Sequence, residues 1–132
     1  MKKLPESVEN YIETILVLSF GEKPVRSIDI AKELNYSKPS VSIAMKKLRL
    51  DGYIEIDEKG YISLTKSGQD IAYSVYQRHK MISEWLMLLG VSKETAINDA
   101  CKMEHGVSEE SFYAIEKHIK EFMLEKENVN AN

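Results

Sequence analysis

Cysteine occurs once in the 132 residues, at Cys101, so no disulfide can form within the chain. A charged-then-apolar start with a small-residue cleavage site is also missing, and the two absences together predict a reducing, cytoplasmic setting. The longest uninterrupted apolar run, Trp85 to Leu89, has five residues. Crossing a bilayer takes roughly 20, so no membrane partner is expected. There is no internal repeat, no low-complexity segment, no phosphate-cradling loop and no nucleophile set beside a base. An enzyme is therefore the least favoured class, with a metal carrying open water sites as its one route to catalysis. Net charge is slight, −3, which speaks against a general polyanion binder.

What is present is unevenly distributed. A hydrophobic content of 43% suffices for one core, or for two small units sharing a helix. From Ser37 to Leu50 there are four cations, Lys38, Lys46, Lys47 and Arg49, and no acid. From Val91 to Asn132 nine acids face five lysines. Such asymmetry fits a local nucleic-acid contact held by a non-binding module, against the plainer reading of a solvated helix face.

Hydrophobic spacing predicts a first helix over 6–20, with Val8, Tyr11, Ile12, Ile15 and Leu18 inward and Pro5 ahead of its start. Asn10 and Glu13 fall together on the opposite side, facing solvent or a second unit. Ser27 is expected to cap a short helix with Ile28, Ala31 and Leu34 inward, Asn35 to end it in a left-handed turn, and Ser37 to cap the next, with Pro39 in its first turn. Helix, tight turn, helix is the signature of a helix-turn-helix. The second helix runs to about Leu50, with Val41, Ala44, Met45 and Leu48 inward and Ser40, Ser42, Lys46 and Lys47 outward. Short hydroxyls near its start let the backbone approach base edges, and the lysines beyond can neutralise phosphates. Candidate DNA contacts are thus Arg26 and Ser27 at the start of the short helix, Ser37, Lys38, Pro39, Ser40, Ser42, Lys46 and Lys47 at and along the helix that follows it, and Lys59. Lys59 sits in the turn of a β-hairpin, Ile54 and Ile56 against Ile62 and Leu64, which placed here is a wing.

A long helix follows from Thr65 to about Leu89, closed by Gly90, with Ile71, Val75, His79, Ile82 and Leu86 inward. Tyr73, Tyr76, Trp85, Met87 and Leu88 add more apolar surface than one small core needs, which favours burial against a second copy. Ser92 opens a helix ending near Gly106, and Ser108 opens the last one, with Phe112, Ile115, Ile119, Phe122 and Met123 inward and His118 exposed and without a role. The expected fold is mainly α: a winged helix-turn-helix over 1–64, an all-helical dimerisation unit over 65–126 and a disordered tail over 127–132.

One stretch stands out chemically. Cys101, Glu104 and His105 occupy positions i, i+3 and i+4 of one helix, so thiolate, carboxylate and imidazole project from adjacent turns toward one point. With Ile97 and Ala100 one turn earlier, they stand where an amphipathic helix carries core side chains. Metal binding competes here with the plainer reading of a buried cysteine beside a surface Glu-His pair.

With a winged helix, then a helix bearing Arg78-His79, then Cys101-Lys102-Met103-Glu104-His105, the chain resembles the diphtheria toxin repressor family, which includes the manganese transport regulators. Asn10-Tyr11-Ile12-Glu13-Thr14-Ile15, Asp29-Ile30-Ala31 and Ser40-Val41-Ser42 carry the likeness through the first half, and it extends to about Met123. The resemblance implies a cytoplasmic homodimer that binds double-stranded operator DNA when loaded with Fe(II) or Mn(II) and represses metal-uptake genes. It implies Cys101, Glu104, His105 and His79 as metal ligands, with Glu13 as the carboxylate ligand of manganese-type members. Asn10 stands where the family has methionine or aspartate, and its amide oxygen can still coordinate. Ser83 and Ile97 stand near where iron-type members supply glutamate and histidine to a second site, so that site is expected to be changed or absent. The expected form is the short one, without the additional C-terminal domain. Thiolate with imidazole also suits softer ions, so Zn(II) is possible. A shared cation would restrict how the reading head and dimer unit rock, and so set the spacing of two recognition helices near one DNA turn, about 34 Å, or a multiple of it. The rivals are a winged-helix regulator sensing an organic ligand or nothing, and a dimeric interaction module without DNA binding.

Overall fold

The computed structural model describes the backbone of residues 4–131 and the side chains of residues 4–125. Its elements are α1 (Glu6–Ser19), α2 (Ser27–Leu34), α3 (Lys38–Leu50), β1 (Ile54–Ile56), β2 (Ile62–Leu64), α4 (Lys66–Leu88), α5 (Lys93–Gly106) and α6 (Glu109–Ala131). Two compact units divide at Val75 and Tyr76. Among the described residues, no helix is long and apolar enough to cross a membrane.

In the first unit, Ile12, Ile15, Ile30, Val41, Met45, Leu48 and Ile54 form a core closed to water. α1 packs on α2 and β2, α2 on α3, and α3 on β1. The turn between α2 and α3 follows from Asn35, whose φ of 58° and ψ of 43° place it in the left-handed region. There Tyr36 N–H reaches back to the Ala31 carbonyl at 3.0 Å. Ser37 then caps α3, its hydroxyl accepting from Ser40 N–H at 3.3 Å and donating to Ser40 Oγ at 2.8 Å.

The wing is an antiparallel pair with Ile54 opposite Leu64 and Ile56 opposite Ile62. Asp57 builds its turn, Oδ1 accepting from both Lys59 N–H and Tyr61 N–H at 2.9 Å. An isolated bridge from Val25 to Ile62, with Ile62 N–H donating to the Val25 carbonyl at 2.7 Å, ties the hairpin to the segment before α2.

By contacts within the chain, the division between the units falls inside α4. Its first turns belong to the first unit because they pack on the chain entering the wing: Thr65 N–H donates to Tyr53 O at 3.0 Å and Thr65 Oγ1 to Gly52 O at 2.7 Å. Gly68 is buried there, and a Cβ on it would collide with the Tyr53 carbonyl oxygen.

In the second unit, the chain turns out of α4 at Gly90, whose φ of 101° lets Val91 N–H reach the Leu86 carbonyl at 3.0 Å. Ser92 and Ser108 cap α5 and α6 through the amides of Thr95 and Ser111. Ile82, Ala100 and Phe112 form the core, with Leu86, Met103 and Val107 against it.

Four expectations change. Ser27 is the first residue of α2 rather than its cap; Arg26 takes the cap position, its N–H satisfied by Asp29 Oδ2 at 2.9 Å. Ile28 is 37% exposed, while Ile30 and Ala31 are buried. With these two and Leu34 defining the inward stripe, Ile28 lies roughly 110° round the helix from its middle. Ile97 is 39% exposed because α5 turns Ala96, Ala100 and Glu104 inward instead. Finally, α6 continues through Ala131, so the backbone over 127–131 is helical where a disordered tail was expected; Asn132 lies outside the described residues.

Gly68→Ala is expected to destabilise the first unit by about 1–3 kcal/mol, since the backbone of α4 must retreat from Tyr53. Urea unfolding followed by circular dichroism measures it.

Candidate metal centre and nucleic-acid interface

α4 and α5 face each other across the second unit's core, and the side chains that meet beside it are His79 and Glu104. His79 Nδ1 lies 3.7 Å from Glu104 Oε2, with side chains 20% and 2% exposed. That separation is beyond hydrogen-bond range. Neither Glu104 oxygen has a hydrogen-bond partner among the described residues. Arg78, next to His79, places its guanidinium 4.8 Å from the Phe112 ring centroid and so joins α4 to α6. It leans away onto an aromatic face instead of supplying the carboxylate with a donor.

A carboxylate without donors in such a place is costly, and the ordinary remedies are a cation or a set of N–H groups. The donor chemistry nearby suits a divalent ion: imidazole from His79 and His105, sulfur from Cys101 and oxygen from Glu104. Cys101 and His105 are half-buried on α5, flanking Glu104 at helical spacing. The ligand-type face of α5 and its core-facing stripe are centred roughly 100° apart and overlap at Glu104. Cys101 and His105 therefore do not take the core positions expected of them. Among the described residues, no three His, Cys, Asp or Glu side chains are gathered closely enough to hold an ion. The fit rests on Glu104 and its neighbours' chemistry rather than on an assembled cage.

Asn10 and Glu13 are carried by α1 in the first unit, and both are half-buried. α1 is locked to the helix-turn-helix through Tyr11, whose ring meets that of Tyr36 edge-on, centroids 5.8 Å apart. Burial raises the Tyr11 hydroxyl above its ordinary pKa of 10.0, and Tyr36 adds to the effect. Ser83 is buried with its hydroxyl donating to the Lys80 carbonyl at 3.0 Å, and α5 leaves Ile97 half out in solvent. Neither offers a donor set for a second ion.

On the outer side of the first unit, Lys38, Pro39, Ser40, Ser42, Lys46 and Lys47 are all exposed on α3. Ser37 is exposed too, but its hydroxyl is engaged with Ser40. Arg26 differs from expectation in its setting: its guanidinium stacks 4.7 Å from the centroid of Tyr61, bracing the wing against the start of α2. Lys59 is exposed at the wing tip. Sequence spacing overlooked Ile43, which is 70% exposed on the outward side of α3. Its apolar character suggests core, and only its phase relative to Val41 and Met45 gives it away.

Sequence models of known families match both halves. Residues 3–62 match the iron dependent repressor N-terminal DNA binding domain, and residues 65–126 match the iron dependent repressor metal binding and dimerisation domain. The Transcriptional regulator MntR of Escherichia coli is 38% identical over 111 residues, 83% of this chain and 70% of that protein. An uncharacterized HTH-type transcriptional regulator of Methanocaldococcus jannaschii is 31% identical over 121 residues, 90% of this chain and 97% of that protein. Among solved structures, the manganese regulator SloR superposes with a TM-score of 0.72 at 31% identity, covering 86% of this chain and 53% of its own. The IdeR of T. acidophilum does so with a TM-score of 0.73 at 27% identity, covering 92% and 55%. The chain thus spans about half the length of these solved relatives. With both halves matched in order by one family, and with an outward basic helix in the first and a buried carboxylate facing a histidine in the second, the chain belongs to the iron dependent repressor family of metal-dependent, DNA-binding transcriptional regulators.

Proposed function

We propose that this chain is a cytoplasmic homodimeric repressor of metal-uptake genes whose hold on double-stranded operator DNA is switched on by Fe(II) or Mn(II). The observation that carries the reading is the buried Glu104 carboxylate, without a hydrogen-bond donor, beside His79. In this reading Glu104 is the anchoring oxygen ligand, His79 and His105 supply imidazole nitrogens and Cys101 supplies sulfur. Glu13 and Asn10 on α1 add oxygen donors. A bound divalent ion supplies the positive charge that this carboxylate lacks. α1 packs on α2 and β2, so a restraint on Glu13 is a restraint on the helix-turn-helix. The DNA-competent arrangement then binds metal better, and operator raises metal affinity by the same factor. Ser40, Ser42 and Lys38 approach the groove at the start of α3, while Lys46, Lys47 and Lys59 neutralise phosphates.

Retention of genomic fragments is expected with Mn(II) or Fe(II) under anaerobic conditions and not with chelator; equal retention throughout removes the metal switch. Glu104→Gln keeps the shape and discards the charge, so its metal-free form should resist urea at least as well as the wild type. At a Mn(II) concentration a hundredfold above its dissociation constant, the wild type should gain about 2.7 kcal/mol of stability, and the variant far less. Replacing Lys46 and Lys47 together by alanine should weaken metal-loaded binding uniformly across sequences. The slope of log affinity against log salt should fall by about 2, read from titrations at several ionic strengths.

A further inference from the structure

α3 carries an apolar side chain where a solvated helix should have none. Val41, Met45 and Leu48 are buried, and at 100° per residue the direction opposite them is taken by Pro39, Ile43, Lys46 and Leu50. Ile43 is 70% exposed and Leu50 82%. Single exposed apolar residues are ordinary on a surface. Ile43 is distinguished by its setting. It is the sixth residue of α3, within the first half of the second helix of a helix-turn-helix, and the stretch 37–50 holds four cations and no acid. A surface that attracts phosphates and presents a branched hydrocarbon along its midline matches the major groove, where thymine alone offers an apolar group, its C5-methyl.

We propose that Ile43 is a specificity-determining residue that reads thymine through its C5-methyl group in the major groove. The proposal rests on the DNA-binding reading above and adds what the helix selects. A β-branched side chain is stiff at χ1, so its methyl groups are presented in a fixed place at little entropic cost. It can neither donate nor accept a hydrogen bond, so it does not report on guanine, cytosine or adenine edges. The flanking serines and lysines fix register and charge, and Ile43 adds discrimination at one or two thymine positions.

Deoxyuridine differs from thymidine only by that methyl. The wild-type protein, loaded with Mn(II), is used to select a duplex from a random library, and each thymine of the selected duplex is then replaced in turn by deoxyuridine. At one or two positions the wild type should lose about fourfold in affinity, the worth of one buried methyl. Ile43→Ala should bind the parent duplex more weakly by a similar factor and be indifferent to uridine at those positions. Ile43→Val, which keeps the branch at Cβ, should retain part of the response. Ile43 is exposed, so unchanged unfolding curves for both variants are expected. If the wild type binds the duplex but no thymine-to-uridine change matters, or if Ile43→Ala responds like the wild type, the proposal is overturned while DNA binding stands. If Ile43→Ala instead changes the oligomeric state and keeps the uridine response, the side chain packs on a second copy and the proposal is again overturned. If no duplex is selected with metal present, the DNA-binding reading fails and this inference fails with it.

Discussion

A carboxylate that has been taken out of water and given no donor is the constraint on which the second unit turns. Glu104 is 3% exposed, beside the core formed by Ile82, Ala100 and Phe112. Leaving such a group uncompensated costs several kcal/mol, a large share of the 5–15 kcal/mol by which a domain is stable. A leucine or methionine in its place would serve folding better. Its presence is therefore explained by what it can attract, and the imidazole of His79 across from it narrows that to a cation accepting both nitrogen and oxygen. Arg78, next in sequence to His79, is committed to Phe112.

The first unit is governed by a different economy, in which backbone groups are satisfied locally so that α3 can present an uncluttered face. Asn35 closes α2 in the one conformation that turns the chain sharply, Ser37 caps α3, and the carboxylates of Asp29 and Asp57 accept backbone amides. Asp29 and Asp57 are thus engaged in local turns, which limits how far they oppose the phosphates.

Most of this was legible in the sequence. The helix-turn-helix could be read because its punctuation, Asn35, Ser37 and Pro39, is local chemistry that tertiary packing has no reason to override. The hairpin was legible from alternation at Ile54, Ile56, Ile62 and Leu64. Phase was harder. Ile28 and Ile97 look like core by type, yet a helix tells inside from outside by angle, and the angle depends on neighbours not contiguous in the chain. The same limit explains Ile43, and it explains why Cys101 and His105 flank the buried stripe of α5 instead of joining it. Which turns of α4 pack on which core was not legible, because an unbroken helix carries no mark of it.

The bridge between Val25 and Ile62 changes what kind of object the wing is. Strands of three residues make a ribbon too small to hold its own shape, and here the ribbon's base is stitched to the segment entering α2 and braced by Arg26 on Tyr61. Length changes during evolution are then unequally tolerated along the hairpin. Extra residues between Glu58 and Gly60 would disturb only the local turn that Asp57 builds, whereas a single insertion at Ile62 would flip the strand's faces and unpick the stitch. Diversification of the wing in relatives of this chain should accordingly be concentrated at its apex.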